Sequence, residues 1–273
     1  MLSYLRAKQR PRPGGLQRKT WPGTCPRTPL YNQSWELPSD NLDAHFISDF
    51  RKRWPETECK NEGLAANYSR FGVGQSHIAI EVRRRCVPDS VTNSVLDNTL
   101  HWPTAKQNIS THEAHIAVAG SIECDDTVLL ASDLTKTVVS LLAVTDSLCV
   151  CWLNGPVLSL RDDFMEIATE LSKLGQPPFM LWVGAQWRPE GGLVHTKGMP
   201  QFGAPEIFLA QQPRLSEENV TYLHSLVKYV LTSGNTFVEG ETLDGPNCVY
   251  KIERLQGSDS EKTGLFLVPA RPH

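Results

Sequence analysis

The sequence predicts an α+β fold, in which helices pack on a mixed, largely antiparallel sheet. Helical and strand patterns are interspersed, and several strand patterns follow one another closely, as antiparallel neighbours do. Hydrophobic residues make up 40% of the 273 positions and the net charge is −3, values typical of a globular protein. No change in composition divides the chain after Asp40. We therefore predict a single domain over residues 41–273, with two similar halves inside it as an alternative arrangement.

Residues 1–40 differ from the rest of the chain. Their first 32 positions hold seven lysines and arginines and no acidic residue, with many prolines and glycines. Such a segment buries little apolar surface, so it is predicted to be a disordered basic extension. A basic arm can bind nucleic acid or an acidic partner. An extension without a function of its own is the favoured interpretation, and we expect its removal to leave the stability unchanged.

The first elements of the domain lie between residues 41 and 174. Apolar residues at positions 42, 46, 47 and 50 share one helical face. The stretch SHIAIEV alternates as a strand, Pro88 and Asp89 begin a short helix through SVTNSVLDN, and AHIAVAGSI is the next strand. Asp125 or Asp126 then caps the long helix TVLLASDLTKTVVSLLAV. The strand LCVCWL and the helix DDFMEIATELSKL follow.

The remaining elements end the chain. FMLWVGAQW, LVHTK and EIFLAQ are predicted strands. Ser216 is placed to cap the helix EENVTYLHSLVKYVLTS and Gly234 to end it, with Leu223 in the middle of its apolar stripe. Three further strands are predicted in TFVEG, CVYKIERL and GLFLVPA. A polar loop, QGSDSEKTG, separates the last two.

Several segments, in their order, resemble one family. They are LHWP, EAHIAV, ASDLTKTVVSLL, VCWLNGPVLS, PPFMLWV, TKGMPQFGAPEIFL and KYVLTSGNTFVEGETL, which together span about residues 70–255. The chain resembles the bacterial domain-of-unknown-function family 4261. It departs from the family pattern where members tend to read Gly-Asp-Thr and this chain has Glu241 between Gly240 and Thr242. The family has no established activity, so the resemblance implies the fold and a bacterial cytosolic setting.

Composition excludes several classes of protein. No stretch approaches the ~20 consecutive apolar residues of a membrane span, and the first residues contain no secretory signal pattern. Seven scattered cysteines without a C-x-x-C pair favour reduced thiols and a cytoplasmic location. No P-loop, dinucleotide fingerprint or zinc-protease pattern occurs, so no cofactor is predicted. The domain has no concentrated basic stripe, which makes nucleic acid an unfavoured partner.

Two short patterns receive structural interpretations. His112 and His115 lie three apart before a strand, where such positions point to opposite faces and cannot share one ion. We therefore predict no metal site, with His115 packed at the strand entrance. Cys149 and Cys151 lie in a strand that is hydrophobic on both faces, so buried and unreactive thiols are expected. The two glycines of FGVGQSH are predicted to form a turn.

The main open question concerns Glu206, which follows a run of glycines and prolines. If the last strands pair with EIFL, Glu206, Glu239 and Glu241 converge and can serve acid–base chemistry or hold a divalent cation. In the structural alternative, Glu206 accepts backbone N–H groups or pairs with His195 or Lys197. We favour the structural role, with His195 opposite Glu206 and with Val194, Ile207 and Leu209 facing the core.

Two functions remain after these exclusions. The leading hypothesis is a non-enzymatic bacterial cytosolic module, similar to an immunity protein, that acts through its surface on a protein partner. The alternative is a hydrolase-type enzyme that uses Glu206 and Glu241 with His195. The candidate binding or motif positions are Gly198, Met199, Phe202, Gly203, Glu206, Gly240 and Thr242.

Overall fold

Two β-sheets carry the described part of the chain. The structure is a computed structural model and describes residues 2–6, 42–65, 68–96, 105–109, 112–212, 214–235, 237–246, 248–255 and 264–270. The segment LHWP of the family resemblance lies outside these residues.

In the described residues the first sheet has seven strands, all paired in the antiparallel sense. Its strands in chain order are β1 (Leu2–Arg6), β2 (Cys59–Ala65), β3 (Tyr68–Val73), β4 (Ser76–Arg83), β5 (His115–Ile122), β6 (Cys149–Trp152) and β7 (Val157–Leu160). In space they follow the order β2-β3-β4-β5-β1-β6-β7. The FGVGQSH segment forms the β3–β4 hairpin, with Gly74 at φ +57° in the turn, which confirms the predicted turn.

Helices cover both faces of this sheet. They are α1 (Leu42–Arg53), α2 (Asp89–Leu96), α3 (Ala105–Ile109), α4 (Thr127–Val144) and α5 (Arg161–Lys173). Helices α1, α4 and α5 share the main core with one face, whereas side chains near α2 and α3 pack with Ala117, Cys149 and Cys151 on the other. This double cover explains why β6 is buried along its whole length.

Helix α4 is the central helix of the core. Asp126 caps it by accepting a hydrogen bond from the backbone N–H of Leu129 at 2.8 Å, as one of the two predicted caps. Among the described residues it is the one helix long and apolar enough to cross a membrane by length and composition. However, ten of its residues are buried, and it contacts α1, α5 and β5, as the core helix of a folded domain does.

The second sheet, which has six strands in the part of the chain that the structure describes, carries the candidate site. These strands are β8 (Gly184–Arg188), β9 (Leu193–Lys197), β10 (Glu206–Leu209), β11 (Thr242–Asp244), β12 (Val249–Leu255) and β13 (Gly264–Pro269), in the spatial order β11-β12-β13-β10-β9-β8. Strands β10 and β13 are parallel, and the other described pairs are antiparallel. One cluster of buried residues includes side chains of both sheets, so the two sheets share a core.

Helix α6 (Glu217–Ser233) packs against the second sheet. Ser216 accepts the backbone N–H of Asn219 at its start, and Gly234 ends it at φ +67°, as the sequence predicts. Leu223 is fully buried, which confirms the position of the apolar stripe.

The structure differs from three predictions of secondary structure. Residues 2–6 were expected to be part of a disordered extension, but they form β1 between β5 and β6; the rest of that extension lies outside the described residues. Residues 179–181 form a short 3₁₀ helix, and the strand predicted there begins only at Gly184. Of the strand predicted in TFVEG, the described residues 237–240 form no strand and end in a turn, and β11 starts after them.

Candidate functional site

Glu206 closes the connection between β9 and β10. Its Oε1 atom accepts the backbone N–H of Gly198 at 2.7 Å. Its Oε2 atom accepts the hydroxyl of Thr196 at 2.6 Å and the backbone N–H of Met199 at 3.4 Å. The Thr196 hydroxyl in turn accepts the N–H of Ile207 at 2.8 Å. The carboxylate therefore ties the end of one strand to the start of the next.

The glycines of this connection have the backbone conformations that the turn requires. Gly198 (φ +119°) precedes a short 3₁₀ helix, Met199–Phe202, and Gly203 (φ +71°) follows it. Both angles lie in the region that residues with a Cβ atom rarely adopt. The glycines and Glu206 thus determine the shape of one tight connection.

The environment of Glu206 has opposing effects on its pKa. Burial raises the pKa, and the hydrogen bonds from Thr196, Gly198 and Met199 act against this rise. The net shift is upward. The carboxyl group is half-buried and surrounded by donors that belong to its own turn, an arrangement typical of a structural carboxylate.

The same connection joins the two sheets through Gln201. The Gln201 Nε2 group donates to the carbonyl oxygens of Trp182 (2.9 Å) and Gly198 (2.8 Å). Its Oε1 atom accepts the indole N–H of Trp152 at 3.1 Å, and the Trp152 and Trp182 rings stack with centroids 6.0 Å apart. Trp152 belongs to the first sheet, so a single amide side chain links the sheets.

The close approach of the two backbone segments at this junction depends on two glycines. A Cβ atom on Gly155 would lie 1.7 Å from the carbonyl oxygen of Trp182, and one on Gly198 would lie 2.6 Å from the Cα atom of Gly155. Met199 is fully buried there, and the Phe202 ring lies 5.8 Å from that of Trp182. The candidate positions 198–203 thus belong to the sheet junction.

His195 does not lie opposite Glu206. It pairs across the strands with Phe208, and the two rings stack at 5.0 Å, with Phe266 stacked on Phe208 at 4.4 Å. The Nδ1 atom of His195 lies 2.7 Å from the carbonyl oxygen of Thr196. The predicted pairing of His195 with Glu206 is therefore wrong.

The register error leaves the assignment of faces intact. The actual register differs from the predicted one by two residues, and a shift of two returns each side chain to the same face. Val194, Ile207 and Leu209 are fully buried in the core, as predicted.

Glu241 also holds a turn. Its backbone N–H donates to the carbonyl oxygen of Val238 at 3.2 Å, and its side chain accepts the N–H of Val238 at 3.2 Å. Gly240 occupies the third position of this turn with φ +90°, a conformation that favours glycine in a type II turn. Glu239, which lies between Val238 and Gly240 in the sequence, is exposed.

The carboxylates do not converge. Strands β12 and β13 separate β11 from β10, so three strand spacings, about 14 Å, lie between Glu206 and the turn of Glu241. Thr242 is an exposed residue at the start of β11. The predicted acid pair of Glu206 and Glu241, with His195 as its third member, is not assembled.

The histidine pair serves local packing. His112 Nε2 accepts the backbone N–H of Val87 at 2.6 Å, and Nδ1 hydrogen-bonds to the carbonyl oxygen of Ile109. His115 is buried at the start of β5, with Nδ1 2.7 Å from the carbonyl oxygen of Arg85. Among the described residues no three His, Cys, Asp or Glu side chains form a group that could hold a metal ion.

The two cysteines of β6 are buried, as predicted. The pKa of Cys151 is raised well above its usual range by its contact with Cys149 and by burial. A thiol with a raised pKa is poorly ionised and therefore a poor nucleophile.

An open groove of about 710 Å³ lies beside α6. It separates the first half of the helix from the end of β11. Its lining combines an aromatic ring with carboxylates and small residues, including Glu217, Glu218, Thr221, Tyr222, Asp244 and Pro246. Sequence reasoning did not identify this groove, because its two walls are about twenty residues apart in the chain.

Exposed apolar side chains continue from the groove along α6. Tyr229 lies seven residues after Tyr222, which places both on one helical face. Tyr229 is 48% exposed and stacks on Phe237 at 5.3 Å, and the neighbouring Val238 is 57% exposed. We call Tyr222, Tyr229 and Val238, together with the groove, the α6 face.

Comparison with known proteins gives one result. Residues 195–267 match the family model of a domain of unknown function, DUF4261. This match confirms the resemblance over the C-terminal part of the chain and does not reach the segments before His195. The matched segment contains strands β10, β11 and β12, helix α6, and most of β9 and β13. Comparison with curated proteins and with solved structures found no match.

The matched segment includes both turn-holding carboxylates and the α6 face. The other half of the sheet junction, Trp152, Gly155 and Trp182, lies outside it. Sequence reasoning singled out none of these three residues, although they occur in VCWLNGPVLS and PPFMLWV, segments already noted for their resemblance. Only the fold shows that these segments meet TKGMPQFGAPEIFL in space.

Proposed function

We propose that this chain is a non-enzymatic bacterial cytosolic binding module, similar to an immunity protein, that acts on a protein partner through the α6 face. The observation that supports this most directly is the exposure of Tyr229 and Val238, which lie near each other because the Tyr229 ring stacks on that of Phe237. Neighbouring exposed apolar side chains are a feature of protein interaction surfaces.

The alternative function, hydrolysis by clustered carboxylates, has less support. Its two acids each hold a separate turn, and three strand spacings lie between them. A general acid and base must both reach one substrate, so this pair does not meet the geometric requirement.

Site-specific cross-linking tests the proposal. A photoreactive phenylalanine analogue replaces Tyr229 in one variant and Glu166, which is exposed on α5, in a control variant. We expect a discrete adduct from position 229 in the bacterial cytosol, absent at position 166 and suppressed by excess unmodified protein. No specific adduct at position 229 would contradict the proposal.

A second measurement addresses the enzyme alternative. The purified protein is assayed with chromogenic esters, phosphates and glycosides, alongside the variant Glu241→Gln. We expect no turnover by either protein. Turnover that disappears in a folded Glu241→Gln variant would favour the hydrolase.

A further inference from the structure

We propose that the groove beside α6 binds an extended basic segment of a protein partner, with a lysine or arginine side chain placed between Tyr222 and the carboxylates of Glu217 and Asp244. This inference rests on the proposed function, because it specifies the class of partner and the part of the α6 face that recognises it.

The groove carries a concentration of negative charge. The described residues that line the groove include the carboxylates of Glu217, Glu218 and Asp244 and no lysine or arginine. From Glu217 to Pro246 the sequence has five carboxylates and one lysine, although the whole chain has a net charge of only −3. Glu217 and Asp244 are exposed and stand on opposite walls. A cation in the groove would therefore contact carboxylates from both sides.

Tyr222 contributes an aromatic ring to the lining of the groove. The Tyr222 ring stacks on that of Tyr250, with centroids 5.9 Å apart. Gln212 donates to the Tyr250 hydroxyl at 3.1 Å and accepts from the amide of Asn219 at 3.0 Å. These two hydrogen bonds connect Tyr250 to the start of α6. An aromatic ring with carboxylates beside it is a typical environment for ammonium and guanidinium groups.

The tyrosines contribute no negative charge of their own. Burial raises the pKa of Tyr250 to about 12, and it also raises the pKa of Tyr222, with smaller contributions from Cys248 and Asp244. Both phenols are neutral near pH 7. The negative charge of the groove therefore comes from its carboxylates, which neutralising substitutions can remove.

The shape of the groove favours an extended segment. The groove is open to solvent, and β11 is the last strand of its sheet in the described residues, paired with β12 alone. The free edge of such a strand offers backbone donors and acceptors to a further strand. A peptide paired with β11 would lie beside the groove, because Asp244, the last residue of β11, lines it.

Peptide titration tests the proposal with a defined probe. The probe is an acetylated, amidated Gly-Arg-Gly-Arg-Gly peptide, added to the full ¹⁵N-labelled chain and followed by NMR, with the Gly-Glu-Gly-Glu-Gly peptide as its acidic counterpart. We expect saturable shifts of the amides of residues 217–225 and 242–245 with the basic peptide alone. The shifts should weaken as salt is added, because exposed ion pairs are screened.

A matched pair of double variants provides the control. Glu217→Gln with Asp244→Asn removes two charges from the groove, whereas Glu166→Gln with Glu170→Gln removes two exposed charges from α5. We expect the groove variant to bind the basic peptide roughly fivefold more weakly and the α5 variant to bind as the parent does. Unchanged spectra away from the substitutions show that each variant is folded.

The outcomes separate this inference from the proposed function. Shifts outside the groove, no saturation, or equal binding by both double variants would overturn the basic-segment proposal. If the adduct from position 229 forms equally well in the Glu217→Gln, Asp244→Asn background, the protein-binding function stands and the groove proposal fails. If no adduct forms while the peptide still binds in the groove, the proposed function fails instead.

Discussion

The substitution Glu206→Gln tests whether the carboxylate is held for architecture. Glutamine keeps one carbonyl oxygen, so it can still accept the N–H of Gly198. Its amide nitrogen replaces Oε2 and cannot accept the Thr196 hydroxyl or the N–H of Met199. One good hydrogen bond of 2.6 Å and one long contact of 3.4 Å are lost in a half-buried site.

We expect this loss to lower the free energy of unfolding by about 1–3 kcal/mol, the usual cost of an unsatisfied buried polar group. Urea denaturation of the parent and the variant measures the difference, with an unchanged m value as a check on two-state behaviour. Glu190→Gln, an exposed glutamate in the β8–β9 turn, is the control and should change stability by less than about 0.5 kcal/mol. A Glu206→Gln variant as stable as the parent would refute the architectural role, above all if it had also lost its function in the cell.

The pH dependence of this cost follows from the raised pKa of Glu206. A carboxyl group with a higher pKa in the folded state binds its proton more tightly there. Its contribution to stability is fully present below the unfolded pKa and is lost as the pH rises through the folded pKa. Glutamine does not titrate, so the difference between parent and variant should be larger near about pH 4 than near about pH 7. The opposite trend would show that ionised Glu206 is favoured by the fold.

Three further predictions concern the core, the junction and the first strand. Leu223→Ala should cost about 2–5 kcal/mol in urea denaturation, because the side chain is fully buried; a loss below about 0.5 kcal/mol would contradict its place in the core. Gly155→Ala should cost at least about 1–3 kcal/mol, since its Cβ atom would meet the Trp182 carbonyl. The cost should exceed that of Gly175→Ala, where φ is +64° and the described residues place no atom within 4 Å of an added Cβ atom. Deletion of residues 1–6 removes a strand paired on both sides, so it should lower the melting temperature by about 2–4 °C for each kcal/mol of stability lost. An unchanged melting temperature would instead support the expectation that the extension does not contribute to stability.

Local patterns predicted most of the elements. The caps Asp126 and Ser216 and the terminator Gly234 act on the backbone next to them, so sequence neighbours are sufficient to identify them. Period-two alternation placed Val194, Ile207 and Leu209 in the core even though the register was wrong by two residues, because the alternation repeats with that spacing.

Elements that depend on distant contacts were harder to predict. Strand β1 has a basic, proline-rich sequence after it and gains its pairing only from β5 and β6, which lie more than a hundred residues away. The 3₁₀ helix at residues 179–181 replaces a predicted strand in FMLW, a short apolar run whose type periodicity alone does not decide.

The sequence by itself determined that Glu206 follows a glycine-rich turn and that carboxylates in such places commonly accept backbone N–H groups. Tertiary structure alone decided that Glu241 lies three strand spacings from Glu206 and that His195 stacks on Phe208. It also decided that Trp152, Trp182 and Gln201 meet between the sheets. The physical reason is range: a turn is fixed by atoms a few residues apart, whereas the order of strands follows from burial of apolar faces contributed by the whole chain.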